Sequence, residues 1–181
     1  MPKKNLVFTS VWSAIICALF YALYGLLPTG GNVSFSMCWV MFIMLICFFA
    51  MRLNASNFMS MALSSLIGCF WGQICVLVTI QFVPFVGVLL AGTFSVGIVT
   101  VIMLILHGGV LSKTPFGLIP FNFAGVALTF SQFQGNPGDN VIALFVTMLL
   151  GIVMACLCGL GYTIAEKIFA KQEVVETTLN H

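Results

Sequence analysis

Charged side chains are so scarce in this sequence that they decide what the chain can fold into. They make up 6% of its 181 residues, whereas a soluble domain carries about 25% to keep its surface hydrated. None of the first 138 residues is Asp or Glu, and the mean hydropathy of the chain is +1.19. The outer surface must therefore face a solvent as apolar as the core, and that solvent is the lipid bilayer.

Apolar runs long enough to cross a bilayer, which takes about 20 residues, recur along the chain between polar turns. They predict an all-α polytopic bundle of six transmembrane helices in a single domain over residues 1–181. The spans lie at about residues 7–27, 34–51, 58–81, 85–106, 116–132 and 141–169, and a polar tail covers 170–181. The first run exceeds the length of about 7–15 apolar residues usual for a signal peptide, so we interpret it as a retained helix.

The distribution of basic residues favours one orientation in the membrane. With six spans, every Lys and Arg falls on the same side, and the opposite side carries only Asp139. Because basic residues concentrate in cytoplasmic loops, we expect both termini to be cytoplasmic. The six basic residues are Lys3, Lys4, Arg52, Lys113, Lys167 and Lys171.

A faint internal similarity links two parts of the chain. Residues 44–46 lead through a short basic loop to Asn57-Phe58 and Gly68, and residues 103–105 lead through a similar loop to Pro115-Phe116 and Gly125. One interpretation is an internal repeat of two hairpins, an arrangement common in transporters that bind a solute between the repeats. The other is that apolar hairpins resemble one another.

The segment 120–130 combines proline, asparagine and aromatic residues at membrane depth. Pro120 lacks an amide hydrogen, so it frees a carbonyl near Phe116 and predicts a break in the fifth helix. A polar break with Asn122 and flanking aromatic rings is typical of a selectivity constriction for a small polar solute. The alternative is a kinked packing helix whose Asn bonds to a neighbour. The candidate pore or solute-binding residues are Pro120, Asn122, Phe123, Gly125, Phe130, Ser64 and Gln73.

The third helix contributes the last two of these candidates. It carries Gly68 and Gly72 at a spacing that lets membrane helices pack closely, with Ser64 before them and Gln73 after them. Close packing is one interpretation of these residues. In the functional alternative, Ser64 and Gln73 line a pore opposite Asn122.

The same region resembles a known family. The pattern Pro120-x-x-Phe123-x-Gly125-x-x-x-Thr129-Phe130, followed by Gln134-Gly135, is similar to the C-terminal signature of the YcdZ-like family of small, uncharacterised bacterial inner-membrane proteins. The chain departs from that pattern by having Phe121 where a Gly usually follows the Pro, and by a longer polar stretch after Gly135. The resemblance implies a multi-span protein of the bacterial inner membrane and implies no substrate.

Metal binding and catalysis are weakly indicated. Four methionines share one face of the second helix with Cys38 and Cys47 near them, and soft sulfur ligands select Cu(I). Methionine is also a common gap-filler in apolar cores, so we expect neither a metal nor another cofactor. His107 lies at a helix end, where the helix dipole favours a cation, and no carboxylate is near it in sequence, so we do not expect an enzyme. The four methionines are Met37, Met41, Met44 and Met51.

The absence of ionisable groups deep in the spans guides the functional hypothesis. Coupled carriers usually keep an Asp, Glu or His within the bilayer, whereas passive permeation requires none. We therefore expect a passive channel or facilitator for a small, largely uncharged solute, working as a homo-oligomer and without a nucleic-acid partner. The alternative is a membrane-embedded accessory or structural subunit that has no solute path.

Overall fold

The computed structural model of the chain describes residues 3–30, 34–133, 136 and 138–179. Within these residues the regular structure is helical, which confirms the all-α prediction. A 3₁₀ turn, Ala55–Asn57, precedes the third helix, and a π-helical turn, Ile105–Val110, follows it. The α-helices are α1 (Lys3–Tyr24), α2 (Trp39–Ala50), α3 (Phe58–Leu104), α4 (Ile119–Gln132) and α5 (Val141–Leu179).

Helix α3 is folded back on itself as a hairpin. Gly87 has φ 77° and ψ 165°, which interrupts the helical backbone. The Trp71 indole nitrogen lies 2.9 Å from His107 Nε2, although the two residues are 36 apart in sequence. A continuous helix would separate them by about 54 Å. The first arm (residues 58–86) and the second arm (88–104) therefore lie side by side, and the π-helical turn extends the second arm.

Three helices among the described residues are long and apolar enough to cross a membrane, namely Lys4–Tyr24, Ala55–Val110 and Val141–Phe169. This number is smaller than the six predicted spans. The third and fourth predicted spans are the two arms of the single element α3. Helices α2 and α4 have 12 and 14 residues, which is short of the length of about 20 residues that a perpendicular span needs.

The predicted break of the fifth helix at Pro120 is wrong. Helix α4 begins at Ile119, so Pro120 lies in its first turn, where no intrahelical partner is lost with the missing amide. The turn between the third and fourth predicted spans, at residues 82–84, lies instead at Gly87, because glycine tolerates positive φ without a steric penalty.

Large apolar side chains from α2, α3, α4 and α5 form a main core cluster, and a smaller cluster lies beside it. Met37, just before α2, and Met44 belong to the main cluster, and Met41 packs in the smaller one with Tyr24. Gly151 of α5 lets α2 approach closely, since a Cβ atom there would lie 2.7 Å from the Met41 Cα. The methionine face thus fills the interior. Further members of the main cluster are Val40, Phe48, Met61, Cys69, Phe121, Leu128, Leu144, Met148 and Ile152.

Contacts between distant segments define the two ends of the bundle. The Phe8 and Phe169 rings meet edge to face at 6.2 Å, which brings the start of α1 and residue 169 of α5 to one end. At the other end the Ser34 amide donates to Asn140 Oδ1 at 3.1 Å. Predicted turn and tail residues outside the described part of the chain are Gly31, Asn32, Gln134, Gly135, Pro137, Asn180 and His181.

Candidate functional site

The first arm of α3 and helix α4 meet along a seam of glycines. A Cβ atom at Gly68 would collide with the backbone of Asn122, and one at Gly125 would lie 2.6 Å from the Cys69 amide nitrogen. Further along the seam, a Cβ at Gly72 would lie 2.6 Å from the Thr129 Cβ. The missing side chains let the two backbones touch, as small residues do between membrane helices.

A polar cluster lies at the end of this seam where α4 begins. The Phe116 carbonyl accepts two hydrogen bonds, one from Asn122 Nδ2 at 3.1 Å and one from His107 Nδ1 at 2.9 Å. Phe116 precedes α4, so its carbonyl takes no part in the hydrogen bonds of that helix. The side chains of Asn122 and His107 satisfy it instead, and they tie α4 to the end of the α3 hairpin.

His107 is buried, with 1% of its surface exposed, and both of its ring nitrogens are engaged. An indole N–H can only donate, so the 2.9 Å contact makes His107 Nε2 the acceptor from Trp71. The ring proton therefore lies on Nδ1 and points to the Phe116 carbonyl. This arrangement is a neutral imidazole held between two elements. It differs from the dipole-stabilised cation expected from the sequence.

Ser64 fixes the connection that leads into α4. Its hydroxyl donates to the Pro115 carbonyl at 3.1 Å and accepts from the Leu118 amide at 3.2 Å. Ser64 of α3 and Asn122 of α4 thus both hydrogen-bond to the segment that connects these two elements. We observe no direct hydrogen bond between their side chains.

Asn122 retains one unused hydrogen-bonding atom. Its side chain is completely buried, and its Oδ1 atom has no partner among the described residues. A buried acceptor without a partner costs about 1–3 kcal/mol, so this atom is an expensive feature for packing alone. It is the clearest candidate for a ligand contact in the seam.

The other predicted site residues do not gather around Asn122. Gln73 Oε1 accepts from the Gly138 amide at 2.8 Å, toward the opposite end of the bundle. Phe123 and Phe130 are 37% and 38% exposed, and Pro120 is also exposed. Phe123 and Phe130 therefore lie partly at the surface, whereas Gly125 and Ser64 belong to the surroundings of Asn122.

Two residues of the cluster, Trp71 and His107, were not among the predicted site residues. The available signal was that His107 is the one ionisable group, apart from thiols, between Arg52 and Lys113, since such groups are costly in a bilayer. The sequence pattern could not reveal its partner, because the reversal at Gly87 brings Trp71 to it.

An apolar cavity of about 380 Å³ adjoins the cluster. Phe116, whose carbonyl binds Asn122 and His107, is one of its lining residues, and Cys69 and Gln73 are two others. Asn122 itself does not line the cavity. The cavity therefore reaches the segment that Asn122 holds. The glycine seam closes the path from the cavity to the Asn122 side chain.

Comparison with known proteins gives a family and no function. A family model described as a protein of unknown function, DUF1097, matches residues 7–162. The chain therefore belongs to this family. No curated protein and no solved structure matches it.

Proposed function

We propose that this member of the family is a passive channel or facilitator for a small, largely uncharged solute, with Asn122 as the point of selection. The observation that carries the proposal is the unpartnered Oδ1 of a completely buried Asn122. A polar atom left free inside an apolar bundle incurs a desolvation cost that a passing solute can offset.

Charge and lining both favour a neutral solute. The first 138 residues contain no carboxylate, so nothing in α1 to α4 compensates a cation during passage. His107 is bonded as a neutral ring, and the adjoining cavity is lined almost entirely by apolar atoms. A bare ion would lose its hydration there without compensation, whereas urea, a short amide or ammonia would lose much less.

The proposal includes six crossings of the bacterial inner membrane with both termini cytoplasmic. The hairpin in α3 supports the count, because its two arms run in opposite directions. The glycines that correspond in the internal similarity, Gly68 and Gly125, contact each other. Two hairpins of a repeat that pack side by side would bring equivalent residues together in this way.

We also propose that the protein forms a homo-oligomer through the second arm of α3. A Cβ atom at Gly97 would have no heavy atom within 4 Å, and Thr93, four residues earlier on the same side of the helix, is exposed. Such an open surface of small residues suits close helix packing in lipid. Native mass spectrometry of Gly97→Leu should show smaller assemblies than the wild type, whereas Leu19→Ile on the exposed side of α1 should leave them unchanged.

A second candidate function follows from the tight seam. Gly68, Gly72 and Gly125 bring α3 and α4 into backbone contact, so a solute can pass Asn122 only if the two helices separate. A seam that never opens would make the protein an accessory or structural subunit, with polar residues that serve packing alone.

Solute flux distinguishes the two candidates. Proteoliposomes containing the wild type, challenged by stopped flow with urea, acetamide, glycerol, ammonia and acetate, should equilibrate faster with at least one neutral solute than empty liposomes do. Asn122→Leu should abolish the acceleration, and Asn5→Leu should retain it, because Asn5 has a comparable unpartnered Oδ1 at the start of α1. No acceleration for any solute would favour the accessory role.

A further inference from the structure

The polar atoms around Asn122 can be accounted for one by one. Asn122 Nδ2 and His107 Nδ1 both donate to the Phe116 carbonyl, and the Trp71 indole donates to His107 Nε2. The Ser64 hydroxyl donates to the Pro115 carbonyl. Each of these donor atoms has a partner, although one of the two hydrogens on Asn122 Nδ2 is unused. Asn122 Oδ1 alone is left without any partner in the described cluster.

The identity of the free atom follows from its neighbour. Amide oxygen and nitrogen are assigned from the hydrogen-bond network, and here the network permits one assignment. If the amide were flipped, its oxygen would face the Phe116 carbonyl oxygen at 3.1 Å, which is repulsive. The nitrogen must therefore face Phe116, and the free atom is an acceptor.

We propose, on the basis of the channel function proposed above, that the Asn122 site selects solutes that donate N–H hydrogen bonds, of the class of urea and unsubstituted amides. The one atom of this site without any partner is an acceptor. A solute that donates a hydrogen bond satisfies it, and a solute that can only accept leaves it unpaired. A site built to bond a donor discriminates against the analogue that lacks it, because the buried acceptor is then left unpaired.

The size of the accepted solute is limited by the glycine seam. Gly68 and Gly125 are already in backbone contact beside Asn122, so only a small group can insert between the helices. The near-apolar cavity at Phe116 disfavours charged donors such as ammonium. Neutrality, small size and an N–H group together define the solute class.

A matched pair of solutes tests the proposal independently of flux. Isobutyramide and N,N-dimethylacetamide have the same number of non-hydrogen atoms and both carry a carbonyl, but only the first has N–H groups. Saturation-transfer NMR on the detergent-solubilised full chain should show isobutyramide binding at least about fivefold more strongly, the effect of one net hydrogen bond. Acetamide should bind like isobutyramide, and N,N-dimethylacetamide should not compete with it.

Variants identify the atom responsible. Asn122→Leu keeps the side-chain size and removes the acceptor, so preference for isobutyramide should disappear, whereas Asn5→Leu should retain it. The wild-type solute comparison stands even if Asn122→Leu fails to fold. Equal binding of both solutes, or binding of neither, would overturn the inference.

Flux measurements separate this inference from the channel proposal. Donor-selective binding that depends on Asn122, without accelerated flux, would uphold the selective site and reject the channel. Accelerated flux of both solutes at equal rates would uphold the channel and overturn donor selection.

Discussion

At the residue scale, the seam between α3 and α4 depends on what Gly68 lacks. A methyl group there would meet the backbone of Asn122, and a backbone cannot move aside as a flexible side chain can. Next to this contact, the side-chain amide of Asn122 donates to the Phe116 carbonyl. Packing and the candidate site are thus products of the same missing side chain.

The first prediction compares two glycines of α3. Gly68→Ala should lower the free energy of unfolding by about 1–3 kcal/mol, the range for overpacking a close contact. Gly92→Ala should leave it unchanged or raise it by up to about 1 kcal/mol, because its surroundings are open and alanine favours helix. Unfolding in SDS mixed micelles measures both. Equal effects at the two positions would contradict the close contact.

The second prediction concerns the hydrogen bond between Trp71 and His107. Each single variant, Trp71→Phe and His107→Phe, leaves a buried polar group unpaired and should destabilise the protein by about 1–3 kcal/mol. The double variant should cost less than the sum of the two single changes, with a coupling energy of about 0.5–3 kcal/mol. A double-mutant cycle of unfolding free energies measures this coupling. Strictly additive effects would show that the two side chains do not interact.

At the scale of elements, the reversal within α3 organises the site. No charged residue occurs between Arg52 and Lys113, so charge provides no signal for where this stretch turns. The turn depends on the positive φ of Gly87, flanked by Phe85 and Val88, which are 82% and 73% exposed. Because the two arms of α3 lie side by side, His107 contacts Trp71. The chain then continues into α4.

The third prediction tests this turn. Gly87→Ala has space for its methyl group, but the backbone at φ 77° is strained for an L-residue. The strain should cost about 1–3 kcal/mol of stability. Gly92→Ala is the control, since its surroundings are also open and its backbone is helical. Thermal unfolding in detergent compares the two, and an unaffected Gly87→Ala would argue against the hairpin turn.

At the scale of the whole molecule, the fold determines at which end of the bundle each charged residue lies. The start of α1 meets residue 169 of α5 at one end, and the loops at residues 34 and 140 meet at the other. Lys4 and Lys167 therefore lie toward one end of the bundle, and Asp139 lies toward the other. This arrangement agrees with the one-sided distribution of Lys and Arg in the sequence.

The fourth prediction places two exposed residues on opposite sides of the membrane. Asn136→Cys should react with an impermeant maleimide in intact cells, and Arg52→Cys should react only after permeabilisation. The native cysteines provide the background, measured in the unsubstituted chain. Reaction of both positions from the same side would contradict an odd number of crossings between them, and the reverse pattern would invert the orientation.

Composition alone predicted helices apolar enough to cross a membrane, because a chain with 6% charged residues cannot cover a water-facing surface, and three described helices have that length and apolar character. The spacing of Gly68 and Gly72 likewise favoured close packing, and both glycines contact α4. Helix ends were predicted to within a few residues, with three exceptions. Helix α2 begins at Trp39, α3 continues through Pro84, and α5 continues to Leu179, into the predicted polar tail 170–181.

The site itself was decided by tertiary structure. Asn122 could be singled out as a polar residue in an apolar segment, but which of its atoms is free depends on the Phe116 carbonyl and on His107. His107 in turn depends on Trp71, 36 residues away. Hydrogen-bond partners across a folded hairpin produce no periodic pattern in the sequence. They are set by the backbone dihedral angles of one residue, Gly87, and by the backbone contact that the seam glycines permit.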